Sequence, residues 1–224
     1  MNQTASLTRL LQLASPTLPV GAYSYSQGLE AAIEAGVVRN ASTARSWIED
    51  VLRYSMASME APILLRLIAA WQANDATLAA RWNNLFLASR ESAELRAETA
   101  QMGYSLARLL RELGEAEDDA FEALDEIAFP AAFAFAVAKW RIEPHAALTA
   151  YLWSWAENQV MAALKAVPLG QTDGQRLLLV LGDAVEEAAR QAAQLQDEDM
   201  VNFAPGLALL SARHETQYSR LFRS

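Results

Sequence analysis

Chemistry would have to reside in the titratable and nucleophilic side chains, and this chain offers few of them in workable arrangements. Its two histidines, His145 and His214, lie far apart and match no metal-ligand spacing of the HExxH kind. Each is expected to be an ordinary surface or half-buried residue. There is no cysteine, which excludes disulfides, thiolate nucleophiles and cysteine-ligated metals and fits a reducing compartment. Ser15, Ser24 and Ser26 have no nucleophile elbow around them, and neither histidine is placed by sequence as their base. Carboxylates are densest at Glu115, Glu117, Asp118, Asp119, Glu122, Asp125 and Glu126. Oxygen ligands alone suit a hard cation, but no histidine joins them, and Phe121 and Leu124 run a buried stripe through the segment. A solvated face or an acidic first helical turn is expected there. The segment VPLGQTDGQR lacks the spacing, lysine and hydroxyl of a phosphate loop, and no dinucleotide fingerprint occurs. The expectation is a protein with no catalytic residue, no metal site and no cofactor.

What remains is residues suited to contact, so the elements that present them matter most. The stretch Ser15 to Gly36 starts as a bent loop: Pro16 and Pro19 remove donors and force extended neighbours, and Gly21 permits a positive φ. From Tyr23 the spacing predicts a helix, with Tyr25, Leu29, Ala32, Ile33 and Gly36 on one side. Tyr23, Ser26, Gln27 and Glu30 fall on the polar side with Glu34 and are candidate partner contacts. A second bent loop, Val167 to Arg176, is broken by Pro168 and Gly170. Asp173 is expected to cap the next helix, Gly174 to give a tight turn, and Gln171 and Asp173 to be available to a partner. Just before it stands Lys165, the only charge between Glu157 and Asp173. It is either a cap at the negative end of its helix or an exposed contact point.

The intervening pattern has a period near 3.6 throughout and contains no alternating strand. A short helix spans Thr4 to Leu13, with Leu7, Leu10 and Leu11 on one side. Ser42 is expected to cap a helix carrying Trp47, Ile48, Val51 and Leu52, and Pro62 to begin the next. Asn74 and Asp75 cap one containing Trp82 and Phe86, and Glu91 to Leu113 is a long helix stopped by Gly114. Ile127 to Trp140 and Pro144 to Leu164 are apolar nearly all round, as central helices are. A further stripe runs Leu177, Val180, Leu181, Ala184, Ala188. The expected architecture is all-α: a single-domain bundle of roughly ten helices over residues 1–224.

Composition agrees. Hydrophobic residues make up 53% and charged residues 20%, and the net charge is −9. That balance opposes nucleic-acid binding, and the run Leu10 to Leu29 is too broken by proline, glycine and serine to span a membrane. The N-terminus lacks a basic region followed by an apolar one, so a soluble cytoplasmic protein is expected. The tail ARHETQYSRLFRS sets His214, Tyr218 and Leu221 at helical spacing, with Phe222 beside them and Arg213, Arg220 and Arg223 interspersed. Apolar anchors mixed with arginine and tyrosine suit an interface. The chain upstream carries enough apolar helix to fold without the tail.

Three segments in order, SPTLPVGAYSYSQGLE, VPLGQTDGQRLL and RHETQYSRLFRS, resemble the signature regions of the UreF family of urease accessory proteins, and the resemblance spans Leu10 to Ser224. One departure is Ala131 to Ala136, where the family often carries a more glycine-containing segment. The resemblance implies an all-helical protein that is not an enzyme and joins a second accessory protein, UreD (also called UreH). That pair recruits the GTPase UreG and apo-urease so that nickel is inserted and the active-site lysine carbamylated, with homodimers inside the complex. On that reading Arg213 to Ser224 dock on UreD/UreH. The alternative is an activator that inserts Arg220 or Arg223 into the GTPase site. A nickel carrier would have few suitable ligands.

Overall fold

The computed structural model describes residues 3–224; Met1 and Asn2 of the expected unit lie outside the described residues. These form ten α-helices, and no strand occurs among them: α1 Gln3–Leu13, α2 Leu29–Glu34, α3 Ala41–Val51, α4 Ala61–Gln72, α5 Ala76–Ala88, α6 Ala93–Glu112, α7 Phe129–Lys139, α8 Pro144–Ala166, α9 Gln171–Gln194 and α10 Pro205–His214. The all-α expectation therefore stands.

Helix α7 occupies the centre, against α4 and α6, while α8 packs on α9 and α2. Its alanines allow close approach: Ala131, Ala132, Ala134 and Ala136 are all fully buried. Phe135 and Phe121 meet the Trp71 ring edge-on at 5.4 and 5.9 Å, and the Trp71 indole N–H donates to the Ala131 carbonyl at 3.1 Å. On α6, Gly103 admits the backbone of Ile127 and Ala128; a Cβ there would lie 2.1 Å from the Ile127 oxygen.

Several local expectations are corrected. Helix α3 is capped by Asn40, not Ser42, because Thr43 completes a reciprocal pair with Asn40. Pro62 does stand in the first turn of α4, as expected, but α4 is no separate rod: α3 runs into it through a π-helical stretch, Leu52–Glu60. Pro62 cannot donate to the Ser58 carbonyl, which accepts instead from Val201 N–H at 3.1 Å, and the Tyr54 carbonyl accepts from Phe203 N–H at 3.2 Å. The wider winding thus serves the segment that leads into α10. On α1, Leu10 and Leu13 are buried, whereas Leu7 and Leu11 are exposed. Helix α6 starts two residues later than Glu91, at Ala93, with the Ser92 hydroxyl accepting from Leu95 N–H. Asp75 caps α5 as expected. The acidic segment is no helical first turn; it loops around buried Phe121 and Leu124. On α9 the buried stripe is Leu177, Leu181, Val185 and Ala188, and Val180 faces outward.

Candidate docking site

Gly21 takes φ +82° and launches only one 3₁₀ turn, Ala22–Ser24. The helix predicted from Tyr23 is interrupted because Gln27 and Gly28 both hold left-handed backbone, at φ 52° and 78°. The N–H groups of Ser26 and Gln27, which a helix would have paired internally, donate to the Ser224 carbonyl at 2.7 and 3.1 Å, and Arg223 N–H donates to Ser24 at 2.8 Å. The Ser26 hydroxyl adds a third bond to the Ser224 carbonyl at 2.6 Å. The two ends of the chain are therefore one substructure.

Glu30 is the second clasp. Its carboxylate accepts from the backbone N–H of Leu221 at 2.7 Å and of Phe222 at 2.9 Å. His214, expected at the surface or half-buried, is fully buried. Its Nε2 lies 3.2 Å from Glu30 and its Nδ1 2.7 Å from Glu94. Both ring nitrogens face carboxylates, so neither points at open space. Arg220 caps the arrangement, reaching Glu94 at 2.6 Å, the Glu215 carbonyl at 2.6 Å and the Gln217 carbonyl at 2.9 Å. The predicted helical stripe from His214 to Leu221 is thus absent: α10 ends at His214, and the tail folds back, drawn by the Glu30 acceptors.

A third clasp was not expected. Glu98, on α6, is buried and accepts from the Gln27 amide at 2.6 Å and the Ser224 hydroxyl at 2.7 Å. The Trp155 indole N–H donates to the same Gln27 side chain at 2.5 Å. Burial pushes the Glu98 carboxyl up to about 7, against the lowering effect of those two donors. Burial likewise raises the Tyr25 hydroxyl, which donates to Gln101 at 2.8 Å. The sequence does carry a signal for Glu98. It sits one turn after Leu95 and one before Met102, a charge on the apolar stripe of α6.

Of the candidate contact residues, then, Ser26, Glu30, His214 and Phe222 are buried, and Gln27 is half-buried. What they hold outward is Tyr23, Tyr218 and Leu221, which are 66%, 105% and 70% exposed, with Arg220 and Arg223 beside them. Lys165 is exposed and bridges to this surface: its Nζ stands 5.3 Å from the Phe222 ring centre and 6.0 Å from that of Tyr23. The second loop is shorter than expected. Pro168, Gly170 and Gln171 are exposed, but Gly170 is the cap, and Asp173 works from inside the first turn, accepting from Gly170 N–H at 3.3 Å and Arg176 at 3.1 Å. Gly174 makes no turn; it lies in α9 against Leu164. Among the described residues, no group of three or more His, Asp or Glu side chains is placed to hold a metal ion.

A family model described as UreF matches residues 38–182. A urease accessory protein UreF from Dechloromonas aromatica (strain RCB) is 57% identical over 231 aligned residues, covering 100% of both chains. One from Azoarcus sp. (strain BH72) is 59% identical, covering 97% of this chain and 95% of its own. A third, from Janthinobacterium sp. (strain Marseille), is 53% identical over 99% of this chain and all of its own. The matched model leaves out the first loop and the tail, whereas the relatives align across both, and this chain belongs to the UreF family of urease accessory proteins.

Proposed function

We propose that this protein acts in urease maturation as a scaffold without catalytic activity of its own. It joins UreD/UreH through the surface formed by its first loop and tail, and the pair recruits the GTPase UreG and apo-urease for nickel insertion. The protein works in the cytoplasm, which its cysteine-free composition suits, and as a homodimer within the complex. Among the described residues, no helix is long and apolar enough to cross a membrane.

One observation carries this reading. The chain spends buried carboxylates, a buried histidine and a backbone clasp on fixing a short tail whose Tyr218 and Leu221 then face solvent. Rigid presentation of apolar side chains lowers the entropic cost of association, and aromatic anchors beside arginine are typical of the residues that dominate interfaces. The alternative, an arginine supplied to the GTPase, fits Arg220 poorly, since its guanidinium already serves Glu94 and two carbonyls. The test is co-purification with UreD/UreH. Tyr218→Ala with Leu221→Ala is expected to lower affinity by at least tenfold while leaving the thermal melt unchanged. Full retention of binding would move the partner surface elsewhere.

A further inference from the structure

A cavity of about 180 Å³ opens between the first loop and α8. Leu13, Leu18 and Val20 on one side and Met102 and Phe129 on the other make its walls apolar, while Glu60, Glu98, Arg90 and Tyr151 lie at its floor. We propose that this cavity binds a primary ammonium group carried on a short apolar stem.

The argument is one of charge and shape. Glu60 is spoken for: Arg90 Nη1 donates to one of its oxygens at 3.1 Å and the Tyr151 hydroxyl to the other at 2.5 Å. Glu98 receives only neutral donors, the Gln27 amide and the Ser224 hydroxyl, and each carboxylate oxygen can accept again. The floor therefore holds two buried carboxylates against one buried guanidinium. A buried charge without a counter-charge is costly. Its consequence is the raised proton affinity of Glu98, caused first by burial and further by Glu60. An ammonium beside Glu98 would supply the missing charge and release that proton. The space suits an organic stem, because apolar cavities of comparable size accept benzene. A metal ion is the poorer occupant, since Glu60 is already paired and no three-ligand cluster occurs among the described residues. The chain's own Lys165 stands at the rim over Tyr23 and Phe222, not at the floor.

The groups facing Glu98 are Glu60, Arg90, Tyr151 and Tyr25, with Glu157 and Lys165 toward the rim. Both tyrosines are pushed up by burial and stay neutral near neutral pH. Glu157 is also raised, so a Glu98 variant is needed to separate the two carboxyls. Calorimetric titration of the full chain with n-butylammonium, and with n-butanol as the neutral counterpart, is the experiment. At pH 8 the ammonium should bind at least tenfold more tightly than the alcohol. With Glu98 at about 7, its affinity should fall about tenfold on going to pH 6, where the site is protonated. Glu98→Gln should lose about the same factor at pH 8 and flatten the pH dependence. Equal binding of alcohol and ammonium, or wild-type affinity in Glu98→Gln, would reduce the site to an apolar void and overturn the proposal. Should Glu98→Gln not fold, the comparison of the two ligands and the two pH values on the wild-type chain decides alone. The ammonium could come from a free amine or from a lysine of another protein. Competition by n-butylammonium against capture of UreD/UreH or UreG assigns the lysine, and unimpaired capture with the amine bound assigns the free amine.

Discussion

At Gly21 the backbone sits at φ +82° with nothing within 4 Å of where a Cβ would stand, so only the conformation demands glycine. At Gly103 the backbone is helical, and the demand is purely spatial, from the Ile127 carbonyl. Both should lose stability on gaining a small side chain, Gly103 the more. Gly21→Ala is expected to cost about 1 kcal/mol and Gly21→Val about 2 kcal/mol. Gly103→Ala should cost about 3 kcal/mol or more, because backbone must move. Urea unfolding of the three variants checks this, and a mild Gly103→Ala would mean that the 127–128 crossing yields easily. Gly21 was legible in sequence from its neighbouring prolines. Gly103 was not, since it sits silently in an ordinary helical pattern, and the chain that crosses it lies two dozen residues away. Glu98 carries a second residue-scale prediction. Its folded pKa, about 7, exceeds the ordinary glutamate value of 4.5, so folding favours its protonated form. Stability from this group is therefore full below about pH 4.5 and is lost as pH rises through 7, on the order of 3 kcal/mol in all. Urea midpoints at pH 5 and pH 8 should converge in Glu98→Gln relative to wild type. An unchanged pH slope in the variant would assign the effect to Glu91 and Glu157, which are raised as well.

Among the elements, helix existence was readable from the apolar period, and caps from residue type where the partner is local, as at Asp75. The misreadings share a cause. The helix predicted from Tyr23, the stripe predicted from His214 to Leu221 and the surface or half-buried position expected for His214 all fail at one place, where residues 24–30 meet residues 214–224. Each segment looks helical alone because its polar groups suit a helix's outer face. Together they satisfy each other instead, and no local pattern announces a pairing across nearly the whole chain. The consequence reverses the expectation that the fold survives without the tail. A variant ending at Ala212 loses the donors to Glu30 and the buried Phe222, His214 and Ser224, and leaves Glu30, Glu94 and Glu98 short of partners. Orphaning a buried carboxylate costs several kcal/mol. We expect that variant to melt at least 10 °C lower or to aggregate, consistent with the few degrees per kcal/mol typical of a domain this size. A wild-type melt would mean that the clasps contribute little net stability.

Over the whole molecule the charge is uneven. The chain carries −9 net, with an acidic loop at Glu115 to Glu126, yet the tail surface exposes Lys165 and Arg223, beside an Arg220 already paired with Glu94. A local cationic patch on an acidic protein steers an acidic partner face and sets the association rate more than the final affinity. Lys165 is the informative member, because it has two competing roles. As a cap near the end of α8 it would act on stability through the helix dipole. As a rim cation held over Tyr23 and Phe222 it would act on encounter with UreD/UreH. Lys165→Met keeps most of the aliphatic stem and removes only the charge. If the rim role dominates, association with UreD/UreH at low ionic strength should slow about threefold. The difference from wild type should vanish as added salt shortens the screening length to a few ångströms, while the melt stays within a degree or two. If the capping role dominates, the melt drops and association is unaltered at every salt concentration. Stopped-flow association at two salt concentrations, read beside a thermal melt, separates these outcomes. An unaltered rate would leave Tyr218 and Leu221, not charge, as what the tail surface offers a partner.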